Sequence, residues 1–170
     1  MNQLQPDEVP TTLGVIAGRG SYPRQLARSA HAQGVQRVVA FAFKGETERA
    51  IMRDADEVVW IRLGCLGELL DAIKARGITN MVMAGQIMPT RLFTLRLDAK
   101  ALAVLKTLPK RNAHTIFGAI GNELQAIGVN LLPAYRFMET EMPAAGLLGQ
   151  RAPDEREQAD IELGAQVAKA

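Results

Sequence analysis

The sequence predicts an α/β protein: a Rossmann-like, doubly wound, mainly parallel sheet of about five strands flanked by helices. Three observations lead there. Short apolar runs alternate with longer segments whose apolar residues recur at helical spacing. The helical segments stop at glycines, namely Gly34, Gly77 and Gly128. The strand candidates are almost continuously apolar, as strands covered on both faces are.

Residues 13–17 are a first strand, ending abruptly in the stretch GVIAGRGSYP. Ser21 is placed to cap a following helix, and Pro23 suits its first turn. Leu26, Ala27, Ala30 and His31 then recur at helical spacing up to Gly34. Residues 38–43 (VVAFAF) form the second strand, and the polar residues 44–54 a loop or short helix. Residues 58–61 (VVWI) are the third strand. A helix over 66–76 carries Leu69, Leu70 and Ile73 on one face. Residues 80–87 (NMVMAGQI) make a fourth strand, broken at Gly85. Helices follow over 99–108 and 115–127, and a fifth strand falls within 129–138. Residues 143–153 are loop and 154–170 helical. The organisation expected is a flexible tail (1–12), one domain (13–153) and the start of a helical linker (154–170).

Composition narrows the function. A chain of 170 residues that is 48% hydrophobic has ample material for a core. The net charge is +2 with cations spread along the chain, which argues against a nucleic-acid surface. The single cysteine, Cys65, excludes an internal disulfide and a Cys-based zinc site. It is compatible with a reducing, cytoplasmic setting. No apolar run approaches the roughly 20 residues that span a bilayer. The opening MNQLQPDEVPTT lacks the pattern of a signal peptide.

Chemistry concentrates at two glycine-broken strand ends, Gly18-Arg19-Gly20-Ser21 and Gly85-Gln86. In a wound parallel sheet, both ends open on one edge, where ligands bind. Gly18 and Gly20 permit close backbone approach and positive φ. The helix start beyond them offers unpaired amides and partial positive charge, which suit a phosphate. Arg19 adds a charged donor. Gln86 can both donate to and accept from a base or sugar. Two readings stand at each turn: a ligand cradle, or a tight connection with no ligand. The dinucleotide fingerprint is incomplete, because Pro23 occupies the third glycine position. Arg91 and Arg96 flank an apolar stretch and read as phosphate contacts or as a solvated face. His31 reads as a half-buried helix residue, His114 as a helix-start residue, and Cys65 as structural. Asp54, Asp56 and Glu57 are the densest acidic group and read as solvated loop charges. No spacing announces a catalytic metal centre or a nucleophile.

Four stretches taken together resemble one family. "LGVIAGRGSYPRQLARSAHAQG", "ITNMVMAGQIMPTRL", "DAKALAVLKTL" and "GLLGQRAPDEREQADIELGAQVAKA" occur in the order found in the amino-terminal domain of the LpxI (DUF1009) family, the UDP-2,3-diacylglucosamine pyrophosphatases. The resemblance implies an enzyme of lipid A synthesis, cytoplasmic and at the inner face of the inner membrane. It implies hydrolysis of UDP-2,3-diacylglucosamine to 2,3-diacylglucosamine 1-phosphate and UMP, assisted by a divalent metal (Mg or Mn). It also implies a carboxy-terminal catalytic domain beyond this chain, so no catalytic residue, and no metal bound by these residues alone, is expected here. Under the resemblance Gly18, Arg19, Gly20, Ser21, Gly85 and Gln86 meet the UDP-sugar, and Gly149, Gln150 and Pro153 form a closing segment. Asn112, Ala113 and His114 depart from the acidic pair that family members often carry before the following helix.

Partner expectations follow from the same resemblance: a UDP-sugar, the missing catalytic domain, peripheral membrane association and self-association. The apolar residues Met88, Leu92, Phe93 and Leu95 suit either a lipid-facing surface or the core. Two other functions compete. One is a non-catalytic nucleotide or nucleotide-sugar module. The other is a fragment of a nicotinamide-dependent oxidoreductase, which the missing third glycine and the absence of an acidic residue directly after the second strand disfavour.

Overall fold

A computed structural model describes residues 8–87, 96–110, 112–144 and 146–169. It divides into two compact units, Met1–Glu139 and Thr140–Ala170. Among the described residues the first holds five strands: β1 (Thr12–Ala17), β2 (Arg37–Phe43), β3 (Glu57–Ile61), β4 (Asn80–Ala84) and β5 (Asn130–Leu131). It also holds α1 (Tyr22–Ala32), α2 (Leu66–Lys74), α3 (Ala99–Thr107) and α4 (Ala113–Ala126). The second unit contains α5 (Glu155–Lys169).

All strand pairs are parallel, and the order is β3-β2-β1-β4-β5. The chain therefore winds outward from β1 to β3, then returns to the other side of β1. The order reverses between β1 and β4, the position where doubly wound sheets open a crevice. Ala17 is in register with both Ala42 and Ala84, so β1 and β4 end level with one another.

The strand sequences look unpatterned because both faces are buried, yet the period of two survives in the packing. On one face Leu13, Val15, Ala17, Val38, Val82 and Ala84 meet Leu26, Ala27 and Ala30 of α1. On the other, Ile16, Val39, Phe41, Phe43 and Met81 meet Leu66, Leu69, Leu70 and Ile73 of α2, with Ala101 and Leu124 from the later helices. Fully burying one such leucine or phenylalanine contributes about 1.5–3 kcal/mol.

The glycines expected to end helices do so, with φ of 101° at Gly34, 61° at Gly77 and 84° at Gly128. In α1 the turn closes when Val35 N–H reaches the Ala30 carbonyl at 3.0 Å. Asn112 and Thr115 form a reciprocal capping box on α4, each side chain bonding the other's backbone amide. Asp98 caps α3 and also accepts from the Gly67 amide at 2.7 Å, tying α3 to the start of α2.

Residues 44–54, read as a loop or short helix, contain a 3-10 turn over Arg49–Arg53. Two expectations need correction. The fourth strand stops at Ala84, because Gly85 takes φ 85° and turns the chain. The fifth strand falls within the expected 129–138 and is two residues long. Its ladder ends with Leu132 N–H on the Met81 carbonyl. Ser21 occupies the N-cap position but has helical angles (φ −77°, ψ −18°), and its hydroxyl makes no capping bond. Pro23 does lie in the first turn of α1.

Candidate functional site

The two glycine-broken turns meet. Gly18 N–H donates to the Ala84 carbonyl at 2.7 Å, and Arg19 N–H to the Gln86 carbonyl at 2.6 Å. Gln86 N–H returns a bond to the Arg19 carbonyl at 3.1 Å, so Arg19 and Gln86 form a small antiparallel bridge beyond the parallel sheet. The fit leaves no room for side chains. A β-carbon on Gly85 would lie 2.7 Å from the Arg19 carbonyl oxygen and 3.0 Å from the Pro23 ring. Gly18 is buried and has no positive φ, so its missing side chain makes room for Gln86. Gly20 alone of the first pair has the left-handed φ, at 94°.

This pairing decides which amides face outward. The N–H groups of Gly18 and Arg19 are occupied. Those of Gly20, Ser21 and Tyr22 have no acceptor among the described residues, as expected at a helix start. The Arg19 side chain is exposed and has no ion-pair partner among the described residues. Gln86 is also exposed. The crevice thus presents amides, one guanidinium and one carboxamide, a donor-rich surface suited to an anion with attached polar groups.

A comparison with protein-family models matches residues 12–140 to the model described as the LpxI N-terminal domain. The chain belongs to the LpxI family. A curated relative, UDP-2,3-diacylglucosamine pyrophosphatase LpxI from Caulobacter vibrioides, is 27% identical over 164 residues. That match covers 92% of this chain and 56% of the relative, so the chain spans about half of the relative's length.

Within this LpxI domain, one residue not singled out from the sequence supports the crevice. Thr47 is buried, and its hydroxyl donates to the Ala17 carbonyl while accepting from Phe43 N–H at 2.8 Å. It therefore joins the carboxyl ends of β1 and β2 directly beneath Gly18. Glu46, only 5% exposed, lies next to it. The single signal available in sequence was a threonine and a glutamate shortly after a strand, and nothing local names Ala17 as a partner. At the opposite flank, the Tyr22 hydroxyl donates to the Ala134 carbonyl at 2.8 Å. Burial, and then the charge of Glu139, push this phenol's pKa up, so it remains a donor at neutral pH.

Gly149, Gln150 and Pro153 lie in the second unit, where all are exposed. There Asp154 and Glu157 cap α5 reciprocally at 2.9 Å, and Arg151 pairs with Glu157 at 2.7 Å. That guanidinium, followed by the Asp154 amide, holds the Glu157 carboxyl below its usual range. His31 bonds the Val35 carbonyl through Nδ1 at 2.9 Å and faces Asp56 at 3.2 Å, a structural role. Asp54 accepts from Arg24 at 2.7 Å and fastens the 3-10 turn to α1, a structural role too. Arg96 and His114 are exposed. Met88, Arg91, Leu92, Phe93 and Leu95 lie outside the described residues.

Among the described residues, no three His, Cys, Asp or Glu side chains gather to hold a metal ion. These residues do not fit the divalent metal that the resemblance implies, and no chemical step is assigned through one. Among them, too, no helix is long and apolar enough to cross a membrane.

Proposed function

We propose that this chain binds the nucleotide-sugar portion of a UDP-2,3-diacylglucosamine-like substrate for a pyrophosphate hydrolase. In the whole enzyme, water would attack the α-phosphorus, giving UMP and 2,3-diacylglucosamine 1-phosphate. The supporting observation is the bridged pair of turns at the strand-order reversal in a chain of the LpxI family. The printed activity of the Caulobacter vibrioides relative favours this substrate class.

The roles follow from the geometry. Amides of Gly20, Ser21 and Tyr22 approach phosphate oxygens, and Arg19 neutralises their charge. Gln86 orients a base or sugar hydroxyl. The Arg19–Gln86 bridge holds both sides of the crevice at fixed spacing, so little order is lost on binding. No metal site or catalytic carboxylate is assigned among the described residues.

Calorimetric titration with UMP, UDP and NAD tests the binding role, and assay of UMP release tests the division of labour. The expected result is uridine nucleotide binding with negligible hydrolysis by the 170-residue protein. Tighter binding of NAD than of UDP would overturn the substrate class. Robust UMP release by this protein alone would overturn its role as a binding half.

A further inference from the structure

We infer that the free edge of β3 pairs with the same edge of a second copy of this chain, antiparallel, about a two-fold axis at Val59. β3 closes one side of the sheet, and among the described residues no segment pairs with its outer edge. Lys44 N–H donates to the Ile61 carbonyl at 3.0 Å, which fixes the alternation of the ladder. Glu57, Val59 and Ile61 turn their backbone groups toward β2, so Val58 and Trp60 turn theirs outward.

The side chains of these two residues are also incompletely covered. Val59 and Ile61 pack with the core on the α2 side, and the alternation puts Val58 and Trp60 on the opposite face. Both are only half-buried, and neither joins either core cluster. Trp60 is the one tryptophan of the chain. An apolar edge accepts another strand unless charge, proline or a covering segment blocks it. β3 contains no proline, and its one charged residue, Glu57, is held by Arg37 and Arg76 of its own copy.

Parity and charge select the occupant. An antiparallel pair sets outward-facing residues directly opposite one another. With the axis at Val59, Val58 of each copy meets Trp60 of the other, and their N–H and C=O groups bond reciprocally. The same register brings Arg62 opposite Asp56 of the second copy. Arg62 is 71% exposed and reaches Glu68 only at 3.4 Å. Asp56 accepts from Val38 N–H and faces His31 through Oδ2, while its Oδ1 takes no bond among the described residues. An antiparallel copy therefore meets opposite charge at both ends of the strand, whereas a parallel copy would set Arg62 against Arg62. A strand this short covers less than the roughly 800 Å² per partner of a standard interface, so the pairing is reversible and depends on concentration. It does not rest on the nucleotide reading.

Sedimentation of the 170-residue protein from micromolar to millimolar concentration is expected to show a monomer–dimer equilibrium. As dimer forms, amide exchange at Val58 and Trp60 should slow, and Trp60 emission should move to shorter wavelength. In a Cys65→Ala background, Val59→Cys should oxidise to a covalent dimer, because α-carbons of a non-hydrogen-bonded pair lie about 4.5 Å apart, within disulfide range. Leu131→Cys, on the opposite edge strand, should cross-link at least about tenfold more slowly. Val58→Pro should weaken the dimer at least about tenfold, since it removes an outward N–H and spares the ladder to β2. Arg62→Glu, at an exposed position, serves if that variant does not fold. It should weaken the dimer at least about fivefold, with the loss shrinking as salt is raised.

A protein that stays monomeric at millimolar concentration would overturn the inference. So would faster cross-linking through Leu131 than through Val59, or parent-like dimerisation of either folded variant. A dimer in which the Val58 and Trp60 amides exchange as fast as in the monomer would place the contact elsewhere and overturn it too.

Discussion

A β-carbon on Gly18 would lie 2.5 Å from the backbone carbonyl oxygen of Gln86 and 2.9 Å from its nitrogen. Neither atom can move without breaking the Arg19–Gln86 bridge, because both belong to main chain already paired across the turn. Gly18→Ala is expected to lose about 2 kcal/mol or more of stability, as backbone overpacking does. Gly20→Ala meets open space and carries only the left-handed backbone penalty of about 1–2 kcal/mol. Urea titrations of the two variants check this ranking, and equal losses would show that the close approach is not what constrains Gly18.

Removing the Gln86 side chain leaves that bridge intact, since the bridge uses only main-chain atoms. Gln86→Ala should therefore unfold at the same urea concentration as the parent. Its UMP or UDP-sugar affinity should fall by about 2–10-fold, the worth of one hydrogen bond. Calorimetry reads the binding change. An unchanged affinity would remove Gln86 from the ligand site.

Thr47→Val keeps shape and removes the hydroxyl. The Ala17 carbonyl and the Phe43 amide then lose a partner inside the protein, where each unsatisfied group costs about 1–3 kcal/mol. The expected outcome is a lower urea midpoint, together with faster hydrogen exchange at Phe43 and Gly18. Parent-like exchange at both amides would show that Thr47 does not hold the crevice floor.

At the far edge of the sheet, Glu57 accepts from Arg76 and Arg37, each at 2.6 Å. The bond from Arg76, then that from Arg37, lowers its pKa from the usual 4.5. The unfolded chain therefore takes up this proton first as pH falls. The contribution of the clamp is complete above about pH 4.5 and fades as pH drops through the lower folded value. Glu57→Gln should cost about 1 kcal/mol at pH 7, as partly exposed ion pairs do, with the difference from the parent shrinking at strongly acidic pH. Nucleotide affinity should be unchanged. A stability gap that widened on acidification would contradict the clamp.

Local signals determined much of this protein. Apolar runs and helical spacing marked the five strands and the five α-helices among the described residues, and Gly34, Gly77 and Gly128 marked helix ends. These features were legible because each depends on residues within a turn or two of one another. The two glycine-broken turns were also visible, as strand ends. Tertiary structure alone decided what those glycines do. Gly18 accommodates Gln86 and Thr47 holds Ala17, because each outcome rests on segments brought together from distant parts of the chain. A contact between distant segments leaves no periodicity in either one, so only the assembled sheet reveals it.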